Sequence, residues 1–394
     1  MIKLLKEKQN IPTGWQEKKL GDVLDYERPD NYIVKSTIYN SNNKIPVLTA
    51  NKSFVLGYTD ENFGIYENIP AIIFDDFTTD SKFVNFPFKV KSSAIKILKE
   101  KSKDTDLRFV FEKMKSVNFP TGSHKRFYIS QYQNLQITLP PIKEQQKIAE
   151  ILRATDEDIA KTQEVIEATE KLKQGLMQQL FTRGIGHTKF KETELGKIPV
   201  EWEVVKLGDI GTNYIGLTYS PKNVTDGTGT LVLRSSNVQD GHISYEDNVY
   251  VNSDIPEHLK TKKGDILLCT RNGSRNLIGK CAFIDTNSVG HSFGAFMSVY
   301  RTKYSDFIFQ VFISDIFKNQ INKFLGATIN QITNSSLNSF IVPLPPTEEQ
   351  KEIVKILSTV DEKISVNKKL KEKLTKLKKG LMFDLLSGKV RVKI

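Results

Sequence analysis

One stretch of this chain occurs twice. Residues 139–181 read LPPIKEQQKIAEILRATDEDIAKTQEVIEATEKLKQGLMQQLF, and residues 344–386 read LPPTEEQKEIVKILSTVDEKISVNKKLKEKLTKLKKGLMFDLL. The copies align without a gap, Gln145 against Gln350, at an offset of about 205 residues. Pro-Pro keeps the chain before it extended and releases a helix immediately after it. Beyond it neither copy contains proline, and apolar positions follow a three-four rhythm. The expected seam runs through Ile148, Leu152, Thr155, Ile159, Thr162, Ile166, Thr169, Leu172, Leu176 and Leu180. In the second copy it runs through Ile353, Leu357, Val360, Ile364, Asn367, Leu370, Leu374, Leu377, Leu381 and Leu385. So narrow a stripe belongs to a coiled coil rather than to a helix lying on a globular core. Each helix would be about 60 Å long at ~1.5 Å per residue. Two long related helices in one chain most simply pack on each other.

A shorter repeat supplies the domain plan. IPTGWQEKKLGDV at residues 11–23 returns as IPVEWEVVKLGDI at 198–210, with Trp15 against Trp202. The unit is an arm, a variable segment and a long helix, used twice. This divides the chain into an arm and first head (1–138), a first helical region (139–183), a linker and second arm (184–209), a second head (210–343), and a second helical region with its tail (344–394). The heads resemble each other much less than their flanks do. Both carry short β-type runs between turn formers. Strands are expected at 44–48, 71–74, 88–90 and 94–98 in the first, and at 230–234, 265–270, 279–284 and 297–301 in the second. A helix should follow in each, at 107–115 and 305–324, then a short strand feeding the Pro-Pro, at 135–139 and 340–344. VLTAN at 47–51 is faintly echoed by VLRSSN at 232–237. Residues 182–197 read as a polar linker, and the tail at 387–394 could add one strand.

Bulk properties set limits. Lys plus Arg number 57 against 46 Asp plus Glu, a formal +11, which favours an anionic partner such as nucleic acid. The two cysteines, Cys269 and Cys281, are too few for a disulfide framework and suit a reducing compartment. No apolar run approaches the ~18 residues of a membrane span, and the amino terminus lacks a signal-peptide core. A cytoplasmic protein is expected.

LPP-x-x-EQ-x-x-I leading into a long helix, the helix end GLMQQLFTRG, the arm F-K-x-TELG-x-IP-x-x-W and the closing LLSGKVRV together resemble the specificity (S) subunit of type I restriction-modification enzymes. The likeness covers essentially the whole chain. It implies an α+β protein with a pseudo-two-fold repeat. Two globular mixed α/β target-recognition domains would be joined by two long helices packed as an antiparallel coiled coil. It further implies that each head reads one half of a bipartite, asymmetric site in double-stranded DNA. The coiled coil would set the half-site spacing and dock two methyltransferase (M) subunits, with two restriction/translocase (R) subunits in the complete enzyme. S-adenosylmethionine, ATP and Mg would belong to those partners, and this chain would hold no cofactor.

The residues agree that the chain itself does no chemistry. Neither Pro-Pro is preceded by Asn or Asp and followed by an aromatic residue, as an adenine methyltransferase requires. No GxxxxGK[ST] loop is present, and the five histidines lack HxxxH or HExxH spacing. Asp75-Asp76 has no Glu-x-Lys at nuclease spacing after it.

Candidate reading residues lie on loops. Arg271, Asn272, Ser274, Arg275 and Asn276 follow an apolar strand, and Arg and Asn suit the edges of guanine and adenine. The matching loop of the first head begins with Asp75 and Asp76, which could accept from the cytosine amine. Before each final strand lie His124, Lys125 and Arg126 in the first head and Asn330 and Gln331 in the second. Lys125 and Arg126 suit phosphate. Lys52, Arg234, Asn237 and Lys280 are weaker candidates. The bland reading makes each of these an ordinary polar turn, and the lysine-rich run at 367–379 the solvated face of a coiled coil. A two-headed protein-interaction scaffold without a DNA role is the rival function.

Overall fold

The computed structural model describes residues 11–51, 53–117, 119, 125–325 and 330–394. The chain forms two compact units, residues 1–164 with 368–394, and residues 165–367. These units cut across the order of the sequence segments. Each takes one arm, one head, the first half of one long helix and the second half of the other.

In the first unit the strand Gln16–Lys19, just after Trp15, pairs antiparallel with Gln136–Leu139, the strand that feeds the Pro-Pro. The head is built on a four-stranded sheet in the order Leu24–Glu27, Ile95–Glu100, Ala71–Asp75, Ser81–Val84. The Ala71–Asp75 strand is buried along its whole length, as its unbroken apolar run requires. A second sheet pairs Ile45–Leu48 antiparallel with Val55–Thr59 and parallel with Lys89–Val90. The helix Leu107–Ser116 is capped by Asp106, whose side chain accepts from Phe109 N.

The second unit repeats the plan. Glu203–Lys206 pairs with Ile341–Leu344, and Glu203 faces Leu344 just as Gln16 faces Leu139. Its main sheet runs Gly211–Ile215, Met297–Thr302, Ile266–Cys269, Cys281–Phe283. Thr230–Leu233 pairs parallel with Ser292–Phe293, so the two echoing segments occupy the same place in their heads. The expected single helix is two, Ser305–Phe312 and Asp315–Phe324, because Ser314 is extended (φ −84°, ψ 169°) and breaks the ladder. The residues expected to be linker contain a hairpin, Phe190–Thr193 with Gly196–Pro199. The tail forms no strand.

The long helices span Ile142–Arg183 and Thr347–Leu386. In the first unit Lys378 pairs with Asp156, and Lys371 donates to Gln163 Oε1 at 2.6 Å. Seven residues forward on one helix match seven backward on the other, so the pair is antiparallel. The expected seam holds through Thr169 and then departs. Leu172 is 55% exposed and Leu377 54%, and Leu370 is also exposed. Lys173, Lys371 and Lys378 turn inward instead, keeping an unbroken four-three alternation from Thr155 to Leu180 and from Val360 to Leu385. Lysine can occupy such a position because its apolar stem lines the seam while its ammonium reaches an acceptor on the facing helix.

The Glu-Gln that both repeats share secures the helix start. Gln145 Nε2 donates to the carbonyls of Pro140 and Asp104, each at 2.9 Å, and its Oε1 accepts from Asp106 N at 2.8 Å. Gln350 Nε2 donates to Pro345 O at 2.7 Å. Glu144, almost wholly buried, accepts from Trp15 Nε1 at 3.2 Å and holds the Arg391 guanidinium through two contacts of 2.6 and 2.7 Å. In the second unit Glu349 accepts from Trp202 Nε1 at 2.8 Å and meets His187 Nε2 at 3.0 Å. The arm tryptophan, the repeat glutamate and a basic residue beyond the other helix, Arg391 or His187, therefore form one clamp, built twice.

Candidate nucleic-acid interface

In the second head the central strand Ile266–Cys269 runs out at Thr270 and Arg271, and three loops converge there. Thr270 N and Arg271 N both donate to Phe296 O, at 3.0 and 3.1 Å. Ile332 N donates to Thr270 O at 2.8 Å, and Arg271 forms an isolated bridge with Gln331. Asn272 N reaches Asn330 O at 3.4 Å, Asn330 Nδ2 returns to Gly273 O at 3.3 Å, and Asn272 Nδ2 donates to Ser235 Oγ at 3.2 Å. The Arg271 guanidinium lies 5.0 Å from the centroid of Phe296, an aromatic ring that is 57% exposed. Arg271, Asn272, Asn330 and Gln331, separated by some sixty residues in sequence, thus form one outward ledge.

The other candidates of this head divide by what they touch. Ser274 and Asn276 are exposed on the same loop. Arg275 is exposed but anchored, its Nη2 donating to Leu325 O at 2.8 Å. Arg234 pairs with Asp247 at 2.9 Å, and Lys280 Nζ reaches Gln239 Oε1 at 3.4 Å. Asn237 is fully buried. It accepts from Arg234 N at 2.9 Å and donates to Ser244 O and Asp247 O, so its amide holds a loop together and is turned away from any base.

The first head has a ledge at the same place. Asp76 N donates to Ala94 O at 2.9 Å, and Phe127 N to Asp76 O at 2.8 Å, matching the Thr270–Phe296 and Ile332–Thr270 bonds. Where Thr270 Oγ1 meets Ser298 Oγ at 3.3 Å, Asp76 instead forms an ion pair with Lys96 at 3.5 Å, both side chains almost wholly buried. The acidic pair looks inward. Asp75 Oδ1 accepts from Phe77 N and Thr78 N, each at 2.9 Å, and Asp76 Oδ1 accepts from Tyr128 N at 2.8 Å. Lys125 and Arg126 are exposed, and the Arg126 guanidinium lies 5.7 Å from the centroid of the exposed Phe77 ring. Lys52 and His124 lie outside the described residues.

Sequence reasoning missed Phe77 and Phe296 as platforms, and Lys96 as the partner of Asp76. An aromatic next to a turn in a head of otherwise β-type pattern was the available signal. The cysteines offer no nucleophile here. Burial raises the Cys269 thiol and pushes the Cys281 thiol up to about 12, so both stay protonated near neutral pH.

Two differently furnished ledges on one duplicated frame call for comparison with known proteins. Residues 12–170 and 199–376 each match the type I restriction modification DNA specificity domain. The chain belongs to that family. The specificity subunit of the type I restriction enzyme MjaVIII from Methanocaldococcus jannaschii is 29% identical over 97% of this chain and 94% of its own length. That of EcoR124I/EcoR124II from Escherichia coli is 32% identical over 87% and 85%. The S subunit of a type I restriction-modification system from M. genitalium shares the fold, with a TM-score of 0.64 at 17% identity over 99% of both chains. This chain is therefore a type I restriction-modification specificity subunit. The ledges lie in the two segments in which its heads diverge. Among the described residues no helix is long and apolar enough to cross a membrane.

Proposed function

We propose that each unit of this specificity subunit reads one half of a bipartite, asymmetric duplex site through its ledge, while the paired helices set the half-site separation. The observation that carries this reading is the pair of ledges, built from equivalent strands and bearing different side chains. A stacked guanidinium flanked by amides suits base edges in the major groove. Heads that diverge, ledges included, on a shared frame are what two different half-sites require.

The subunit would be non-catalytic. S-adenosylmethionine, ATP and Mg would be held by two methyltransferase and two restriction/translocase subunits. Exposed apolar residues on the helices support a docking role. Val165 and Leu172 stand seven residues apart on the first helix, and their repeat equivalents Leu370 and Leu377 on the second. Such a stripe, displayed twice, suits two copies of one apolar partner.

The test is to purify the chain with its methyltransferase partner and select from random-sequence duplexes. A two-part motif is expected. Arg271→Ala should cost about 1–3 kcal/mol on the selected site and relax one half only. Equal weakening on all sequences would make Arg271 a phosphate contact, and failure to enrich any motif would sink the reading.

A further inference from the structure

The first head carries a cleft in which two of the candidates, Asp76 and Arg126, meet residues the sequence did not single out. It encloses about 490 Å³ beside the end of the Ala71–Asp75 strand. The Lys96–Asp76 pair lines it, and the two opposite charges largely cancel. Arg28, Asp30 and Arg126 line it as well, and all three are exposed. Arg28 follows directly on the strand Leu24–Glu27, whereas Arg126 precedes the last strand of the head, so two distant loops bring their guanidiniums to one cleft.

Arg126 lies against the Phe77 ring, but neither guanidinium is neutralised by a described residue. Among the described residues no carboxylate lies within 4.0 Å of either guanidinium, and neither donates a hydrogen bond. With the Lys96–Asp76 pair neutral, two arginines stand on the cleft against the single carboxylate of Asp30, a net positive charge. A partner rich in acceptors suits it. Plain phosphate would engage the arginines but offers no donor to the Asp30 carboxylate on the same cleft. A guanine–cytosine pair fits better. In the major groove guanine offers two acceptors, O6 and N7, and its cytosine offers one amine donor, matching arginine forks beside a carboxylate.

We propose that this cleft reads a guanine–cytosine base pair in the first half-site, with Arg28 and Arg126 donating to guanine and Asp30 accepting from the cytosine amine. The Lys96–Asp76 pair is its fixed floor, and the Phe77 ring lies against the Arg126 guanidinium. This rests on the reading of the ledges as DNA-contacting surfaces.

The experiment uses the full chain purified with its methyltransferase partner and a library of random-sequence duplexes, the bound pool being sequenced. Arg28→Ala and Arg126→Ala should each lower the preference for guanine at one position of one half-site by roughly 10- to 100-fold. Asp30→Asn should relax the same position less, and the other half-site should be untouched. Arg126→Lys keeps the charge but loses the planar fork, so it should recover overall capture without recovering that preference. A thermal melt of each variant should match the parent, because neither guanidinium braces the fold. An unchanged motif with uniformly weaker capture would assign the arginines to phosphate and overturn the proposal. So would no change at all. Arg271→Ala in the same selection separates the levels: if it alters its half-site while Arg28→Ala and Arg126→Ala do not, only the cleft proposal falls. If the parent enriches nothing, the DNA-reading function falls with it.

Discussion

Lys173 meets Asp361 at 2.6 Å across the paired helices of the second unit, and this contact is the repeat image of another. In the first unit Lys378, the counterpart of Lys173, pairs with Asp156, the counterpart of Asp361. Residue i contacting j while j contacts i is the mark of an isologous interface, here made within one polypeptide.

A fragment of residues 1–197 carries both Asp156 and Lys173, so two fragments can satisfy each other. It should be dimeric by light scattering and, with methyltransferase partners, should methylate a palindrome made of the first half-site repeated. Asp156→Lys should weaken the dimer roughly tenfold, and adding Lys173→Asp should restore it. A folded monomeric parent fragment would contradict the duplicated-unit architecture.

The glutamate clamp should be expensive to break. Glu144→Ala leaves the buried Trp15 Nε1 without its acceptor, at a cost of about 1–3 kcal/mol, and takes from the Arg391 guanidinium its carboxylate partner. The melting temperature of the full chain should fall by several degrees, and Glu144→Gln, which keeps an oxygen for Trp15, should fall less. Equal stability of all three proteins would show the clamp to be energetically idle.

Burial pushes the Lys113 ammonium down to about 8, although its Nζ donates to Thr138 Oγ1 at 2.7 Å and to Leu386 O. The folded chain releases this proton more readily than the unfolded chain, where lysine titrates near 10.4. Between about pH 8 and 10.5 the unfolded state binds more protons, so this group's contribution makes stability rise with pH in that window. Below pH 8 the destabilisation is fully present. Denaturation midpoints of the parent and Lys113→Met, measured across the window, should show a flatter profile for the variant. Parallel profiles would remove Lys113 from the account.

If the helices act as a spacer, removing one heptad around Ala160 and the matching heptad around Ser365 preserves the seam rhythm and shortens each helix by about 10 Å, roughly three base-pair steps. Both half-sites should persist in the selected motif while the gap between them contracts. An unchanged gap in a folded, active protein would show that spacing is set elsewhere.

Much of this molecule was readable before its coordinates. Two gapless copies of one helix, with arms whose Trp-x-x-x-x-Leu-Gly-Asp pattern also repeats, leave few ways to fold. The central strands Ala71–Asp75 and Ile266–Cys269 were expected at 71–74 and 265–270 from their apolar stretches, Ala71 to Phe74 and Ile266 to Cys269. The seam went astray at Leu172 because a pattern reading assigns leucine inward and lysine outward. Lys173 and Lys378 face inward only because an aspartate waits on the other copy, some two hundred residues away, and no local window contains both. The cleft was hidden for the same reason. Arg28, Lys96 and Arg126 come from three separate stretches, and each alone looks like a solvated surface charge. Asp76 was visible as a candidate, but its buried partner was not, so its direction was misjudged.

The Trp15–Glu144–Arg391 clamp has a consequence for the gene as well as for the fold. Gly388 sits against Pro12 and Trp15, and Arg391 Nη1 donates to Thr13 O at 3.0 Å, so the start of the first arm and the segment beyond the second long helix lie side by side in one unit. The His187 clamp does for the connection between the repeats what the Arg391 clamp does for these two segments. With the segment beyond the second helix joined to the first arm, the repeats would form a ring with two equivalent seams, and either could be opened. Beginning translation in the stretch between the repeats would exchange the order in which the heads are synthesised without moving a residue of either reading surface. For such a protein, first and second are properties of the message, not of the molecule.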